Sequence, residues 1–184
     1  MRLTYGPASP EVVALAADPV MAAVTRAVGD VSVGVESNHF VSLASAIVGQ
    51  QLSTAAANTI WRRFEALGPV EPAAVLELDD DAVVAEVTRV KGVGRWTAEM
   101  FLLFSLARPD VLALADGGLL RAAGWALELG RAATGDEFAA AGEAWRPYRS
   151  IASLYLWACL DRGLVPRTGA AGGLTPREAA ALWR

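Results

Sequence analysis

The sequence contains a single cysteine, Cys159, and a single histidine, His39. One cysteine excludes an internal disulfide, a four-cysteine zinc site and a four-cysteine iron–sulfur cluster. No apolar run reaches the length of a membrane span, and the first residues lack the apolar segment of a signal peptide. Positive charge is also scarce, because the 16 Lys and Arg residues are outnumbered by 20 Asp and Glu residues, which gives a net charge of −4. These absences favour a soluble cytoplasmic protein, expected to be a monomer, in which any binding of nucleic acid is local.

The residues that are abundant indicate a helical protein. Apolar residues make up 54% of the 184 positions, and many are Ala and Leu, which favour helix over strand. Asp18, Pro19 and Gly29 have the types and spacing of a helix N-cap, first position and stop. No sustained alternating run predicts a sheet. We therefore predict an all-α domain over residues 1–165.

The end of the chain is predicted to be a separate tail, residues 166–184. "RTGAAGG" has the composition of a flexible link. In "TPREAAALWR" after it, Thr175 is followed three residues later by Glu178, which is the spacing of a capping box. The tail is therefore expected to carry a short helix.

Two glycines, Gly92 and Gly94, stand in "VTRVKGVGRWTAEM" between two predicted helices. A helix, a short hairpin with two glycines and a second helix form a helix-hairpin-helix unit, here about residues 87–107. Such glycines permit positive φ angles and let backbone N–H groups at the next helix approach a phosphate, with the Thr97 hydroxyl assisting. The alternative is an ordinary tight turn, since the chain has 17 glycines.

Asp116 stands one helix length after the hairpin, at the entrance of the next helix. Taken alone it is explained as an N-cap. The hairpin "GVGRWTA" followed by Asp116, Leu119 and Arg121, however, resembles the helix-hairpin-helix DNA glycosylases. "HFVSLASAIVGQQLSTAAANTIWRRF" and "WRPYRSIASLYLWA" are similar to segments of one branch, DNA-3-methyladenine glycosylase II. The three motifs occur in the order found in that family.

The resemblance implies two helical subdomains with a cleft between them and no β domain. It also implies an enzyme that flips an alkylated base, of the 3-methyladenine or 7-methylguanine type, out of double-stranded DNA and hydrolyses its N-glycosidic bond. Asp116 would be the catalytic carboxylate, stabilising the positive charge that develops on the sugar. Two alternatives stay open: a DNA-binding protein without catalysis, and a glycosylase for a neutral lesion such as uracil or hypoxanthine.

The base pocket is predicted from aromatic and polarisable side chains that could contact a flat, electron-poor ring. The candidates are Trp96, Met100, Tyr155 and Trp157, and core packing is the alternative for each. Relatives that cut the strand carry a lysine where this chain has Trp96, so the resemblance implies a monofunctional hydrolase that leaves an abasic site. No metal is predicted.

Further DNA contacts are predicted in two other segments. In the loop "GQQLS", Gln51, or Leu52 in its place, would fill the space left by the flipped base, unless the loop is only a turn between helices. Arg149, in "WRPYRS", would contact DNA or pair with an acidic residue, and the same holds for Arg146. The hairpin carbonyls could also bind a monovalent cation.

Overall fold

The structure, a computed structural model, describes residues 2–34, 77–89, 91–166 and 175–181. The chain divides into two compact units, one formed by Gly34–Arg108 and the other by Arg2–Val33 together with Pro109–Arg184. The first unit contains the predicted hairpin, and the second contains Asp116. Gln51 and Leu52, the two candidates for filling the space of a flipped base, lie outside the described residues.

Helices dominate the described residues, and they are numbered here in chain order within that part of the chain. A short 3-10 helix, Glu143–Trp145, lies between the helices Gly135–Gly142 and Arg149–Asp161. The elements are β1 Arg2–Tyr5, α1 Pro10–Leu15, α2 Pro19–Val28, β2 Val31–Gly34, α3 Asp80–Val87, α4 Arg95–Phe104, α5 Gly117–Ala126, α6 Gly135–Gly142, α7 Arg149–Asp161 and α8 Pro176–Ala181.

One small sheet departs from the all-helical prediction. Strands β1 and β2 pair with each other, and the Thr4 and Ser32 hydroxyls are 2.8 Å apart across them. Each strand has only four residues, too few for an alternating pattern to stand out from chance in the sequence. The prediction of a mainly helical fold is otherwise confirmed in the described residues.

The predicted helix ends agree with the structure where they depend on local capping. The Asp18 carboxylate accepts a hydrogen bond from the Met21 N–H at 2.9 Å at the start of α2. Gly29 ends the same helix with a φ of 69°, a backbone conformation that glycine adopts without strain. Each of these contacts joins residues at most four positions apart, so the sequence was sufficient to predict them.

The predicted C-terminal helix forms and packs within the second unit. In α8, Thr175 and Glu178 make both bonds of the capping box, with N–H···O distances of 2.8 and 3.3 Å. Ala179 and Ala180 are buried with Ala27 of α2. The helix of the predicted tail is therefore part of this unit's core. In the described residues, no helix combines the length and apolar character needed to cross a membrane.

The first unit holds α3 and α4, which pack against each other on the two sides of the glycine hairpin. Val83 and Val87 of α3 are buried, as are Ala98 and Leu102 of α4. The buried positions of α3 are four residues apart and so are those of α4, which is the spacing of one helix face. Two amphipathic helices joined by a short turn thus form the predicted helix-hairpin-helix unit.

Candidate active site

Asp116 is the N-cap residue of α5. Its Oδ1 atom accepts a hydrogen bond from the backbone N–H of Leu119 at 2.7 Å. This contact satisfies one of the N–H groups that a helix start leaves without an intrahelical partner. The residue retains 9% of its surface exposed, so the carboxylate is largely enclosed but not sealed. The partial positive charge of the helix start also favours a negative group at this position.

The indole of Trp157 is the second group at this carboxylate. Trp157 lies on α7, which packs against α5, and its side chain is half-buried. Its Nε1–H donates to Asp116 Oδ1 across 3.4 Å. This distance exceeds the ~2.9–3.0 Å that is usual for such bonds, so the indole contact is weaker than the amide contact. The fold thus brings together two predicted site residues that are far apart in the sequence.

The resulting arrangement is a carboxylate with an aromatic ring beside it. A carboxylate in a partly water-excluded site stabilises a positive charge that develops next to it, because the charges are poorly screened there. The half-buried ring offers apolar surface to a flat molecule. Asp116 and Trp157 therefore form a site suited to a reaction in which positive charge develops beside a flat group.

Tyr155 has a different environment from its neighbour Trp157. It is fully buried, and its hydroxyl donates to the Tyr5 carbonyl of β1 at 3.1 Å. Burial, with a smaller contribution from the nearby Asp30 carboxylate, raises the pKa of Tyr155 to about 12. The structure therefore assigns Tyr155 to the core, the alternative that the sequence left open, and not to the wall of an open pocket.

The two hairpin glycines differ in conformation. Gly92 has a φ of 103°, which an L-residue rarely adopts. Gly94 is the N-cap of α4 with an extended backbone, φ −95° and ψ 173°. A Cβ at Gly94 would meet no atom of the described residues within 4 Å. Only Gly92 thus needs the conformational freedom expected of both glycines, whereas Gly94 leaves open space at the start of a helix.

The side chains that follow the hairpin are mostly enclosed. Trp96 is half-buried, Met100 is buried, and Thr97 keeps 6% of its surface. The burial of Met100 and Thr97 fits core packing, while Trp96 keeps part of its surface exposed. In the described residues no group of three His, Cys, Asp or Glu side chains could hold a metal ion. The monovalent cation at the hairpin carbonyls stays a prediction.

Exposed cations flank the hairpin glycines, and they were not among the predicted DNA contacts. Arg89, Lys91 and Arg95 are all exposed. Arg89 pairs with Glu86 at 2.6 Å, and Arg95 donates to Glu99 at 2.9 Å. Three cations within seven residues were visible in the sequence as a local basic cluster in an acidic chain.

Two alternatives were predicted for Arg149, a DNA contact or an ion pair with an acidic residue, and the structure shows the ion pair. Its Nε donates to Asp110 Oδ1 at 2.7 Å, and its Nη2 donates to Asp110 Oδ2 at 2.9 Å. Arg146 also donates to Asp110 Oδ2, at 2.8 Å. Both arginines therefore tie the start of α7 and the residues before it to the loop that precedes α5.

Comparison with known proteins gives no matching family model but several curated relatives. The putative DNA-3-methyladenine glycosylase YfjP of Bacillus subtilis is 32% identical over 99 residues, which cover 54% of this chain and 34% of that protein. DNA-3-methyladenine glycosylase 1 of Schizosaccharomyces pombe is 34% identical over 80 residues, covering 44% of this chain and 35% of that protein. The matched segment spans about a third of the length of these relatives.

Solved structures match over more of the chain. A DNA-3-methyladenine glycosidase from Bacillus halodurans has a TM-score of 0.70 and 31% identity, covering 85% of this chain and 92% of that one. The 3-methyladenine DNA glycosylase of S. pombe, solved in complex with abasic DNA, has a TM-score of 0.64 and 22% identity, covering 83% and 97%. At 22% identity, the S. pombe match supports the fold alone. The two solved structures together confirm the predicted fold class, and the two-stranded sheet of β1 and β2 is the one correction to it.

Proposed function

Since the chain belongs to the DNA-3-methyladenine glycosylase family, we propose that it excises alkylated purines from double-stranded DNA. The reaction hydrolyses the N-glycosidic bond of a base rotated out of the helix and leaves an abasic site. The observation that carries the proposal is the position of Asp116, an enclosed carboxylate with the half-buried Trp157 donating to it.

Asp116 acts on the sugar in this mechanism. As the bond between C1′ and the base nitrogen breaks, its electron pair goes to the base and positive charge develops on the deoxyribose. The Asp116 carboxylate stabilises that charge. A water molecule then adds its oxygen to C1′, and the proton it loses passes to the carboxylate or to solvent. The products are a free base and an abasic deoxyribose.

The substrate class follows from the charge of the leaving group. A purine alkylated at N3 or N7 is already cationic, so it leaves as a neutral base without being protonated. One carboxylate is then sufficient, and a general acid is not required. A cationic ring is also attracted to an aromatic face, by about 0.5–2 kcal/mol, more when desolvated. The partly exposed side chains of Trp157 and Trp96 are the candidates for this contact.

The monofunctional outcome depends on the residue at position 96. A lysine there could attack C1′ and form a Schiff base, which leads to strand cleavage. Trp96 has no amine, and its half-buried ring cannot act as a nucleophile. The proposed product is therefore an intact strand with one missing base.

DNA binding is proposed to use the hairpin of the first unit. Gly94 lies at the start of α4 with open space beside its backbone, and a helix start attracts phosphate through its free N–H groups and dipole. The exposed Lys91 adds positive charge along the same stretch, and the exposed Arg89 and Arg95 would exchange their partners Glu86 and Glu99 for phosphate. Main-chain donors and a local basic cluster would allow a chain of net charge −4 to hold DNA.

The experiment is a cleavage assay on duplexes that each contain one lesion. The panel includes 7-methylguanine, 3-methyladenine or a stable analogue, ethenoadenine, hypoxanthine and uracil, and each reaction is divided and one half is heated in alkali. We expect strand breaks at the methylated purines, and only after alkali. Asp116→Asn should cleave at least about 100-fold more slowly while binding an abasic duplex as well as the unmodified protein does.

Each of the other possible results of this assay would contradict a different part of the proposed function. Breaks without alkali would contradict the monofunctional mechanism. Cleavage of uracil or hypoxanthine but not of methylated purines would favour a neutral-lesion enzyme. Binding without any cleavage would indicate a protein that only holds DNA.

A further inference from the structure

Gly118, the second residue of α5, lies against the Asp116 carboxylate. A Cβ atom at this position would be 3.0 Å from Asp116 Oδ1, 3.3 Å from Leu160 Cδ1 and 3.7 Å from Trp157 Nε1. The missing side chain therefore faces the carboxylate and its indole partner, with Leu160 close on another side.

The 3.0 Å contact with the carboxylate would be tighter than nine in ten contacts that Cβ atoms make. Ordinary van der Waals contacts of a Cβ begin at 3.4 Å, so Asp116 Oδ1 would have to withdraw by about 0.4 Å. Withdrawal would lengthen the 2.7 Å hydrogen bond from the Leu119 N–H. Leu160 limits movement of the added methyl group in turn.

Backbone conformation does not explain the glycine at this position. Gly118 lies within helix α5, and Ala is the better helix former. The space beside the carboxylate is the feature that a larger residue would remove. Gly117, the preceding residue, would place a Cβ in open space with nothing within 4 Å, so the two adjacent glycines differ in this contact.

We propose that Gly118 is a positioning residue for Asp116, because its missing side chain lets the carboxylate sit between the Leu119 amide and the Trp157 indole in the orientation that serves the deoxyribose. The proposal rests on the function proposed above for Asp116. Gly118 itself touches neither the sugar nor the base.

The first test compares Gly118→Ala with its matched control Gly117→Ala in single-turnover cleavage of a 7-methylguanine duplex. A shift of a fraction of an ångström in a reacting group slows chemistry by roughly tenfold. We expect Gly118→Ala to show about this loss in the cleavage rate at saturating enzyme, with the Kd for an abasic duplex unchanged. Gly117→Ala should stay within about twofold of the unmodified rate. Equal rates for the two variants would overturn the proposal.

The second test needs no enzymatic activity, so it separates a failure of this proposal from a failure of the proposed function. Because Gly118→Ala strains the N-cap bond, its Tm should lie about 2–4 °C below that of Gly117→Ala. In an Asp116→Ala background the carboxylate is absent, and the Tm difference should shrink to the part caused by the 3.3 Å contact with Leu160 Cδ1. A difference that is undiminished without the carboxylate would place the clash elsewhere and overturn the proposal. Absence of cleavage by the unmodified protein would refute the proposed function alone.

Discussion

Alanine substitutions at the two hairpin glycines should have different effects, one mainly on stability and the other mainly on DNA affinity. Gly92 has a φ of 103° and Gly94 an extended backbone, so alanine is strained at the first position and unstrained at the second. The perturbation is the pair of single variants Gly92→Ala and Gly94→Ala, which add the same methyl group two residues apart.

The structure sets different magnitudes for the two variants. An L-residue at positive φ costs about 1–3 kcal/mol, which corresponds to roughly 2–12 °C in Tm at this chain length. Gly94→Ala meets no atom within 4 Å, and alanine instead of glycine as an N-cap costs less than about 1 kcal/mol. In the complex with DNA, however, its methyl group would occupy the space where a phosphate approaches. Loss of one charge-assisted hydrogen bond, about 1.5–3 kcal/mol, would raise the Kd by roughly 10- to 100-fold.

The assay pairs thermal unfolding with fluorescence anisotropy on a duplex that contains a stable abasic analogue, at one fixed salt concentration. Gly92→Ala should show the larger loss of Tm, and Gly94→Ala the larger loss of affinity relative to its change in Tm. If Gly94→Ala binds the duplex as tightly as the unmodified protein, the phosphate does not approach this backbone, and the reasoning fails.

Three further predictions concern the second unit. Arg149→Ala should lower the free energy of unfolding by about 1.5–3 kcal/mol, because the hydrogen-bonded Arg149 side chain is only 17% exposed. The Arg146 side chain is 48% exposed, so Arg146→Ala should lower it by at most about 1 kcal/mol. A fall in DNA affinity specific to Arg149→Ala would instead support the predicted DNA contact of Arg149. Tyr155→Phe should lower stability by about 1–2 kcal/mol and leave the single-turnover rate unchanged, and a slower rate would return this residue to the pocket. The hydrogen bond from Arg131 lowers the pKa of Glu137 to about 2, so this carboxylate stabilises the fold above its unfolded pKa near 4.5 and loses that effect as the pH falls towards 2. The Tm difference between the unmodified protein and Glu137→Gln should shrink over that range, and a constant difference would contradict the assignment.

Local features of the fold were predictable because their causes lie within a few residues. The cap at Asp18, the stop at Gly29 and the capping box of Thr175 and Glu178 each depend on contacts three or four positions apart. A second capping box, at Thr134 and Glu137, has the same spacing and could have been found from the sequence. The helical class and the hairpin followed from such signals.

The candidate site was predictable in part. The sequence placed Asp116 at a helix start, and the structure puts it there with the expected cap. The sequence also grouped Tyr155 with Trp157 as pocket residues, although one of them is buried in the core and the other lies at the carboxylate. Helical periodicity gives the angle between two side chains, but it does not say what each of them faces.

The sequence by itself therefore determined the capped helix ends, the hairpin and the N-cap position of Asp116, because capping, glycine conformation and apolar spacing are set by near neighbours. The role of Asp116 as the site carboxylate came from the resemblance to the glycosylases. Only the tertiary structure decided which groups surround Asp116, since Trp157 and Leu160 come from a distant helix and reach it through packing of α7 on α5. The pairing of β1 with β2 and the hydrogen bond from Tyr155 to Tyr5 also join segments that are far apart in the sequence. Contacts between distant segments depend on how all the buried surfaces fit together, and no short stretch of sequence contains that information.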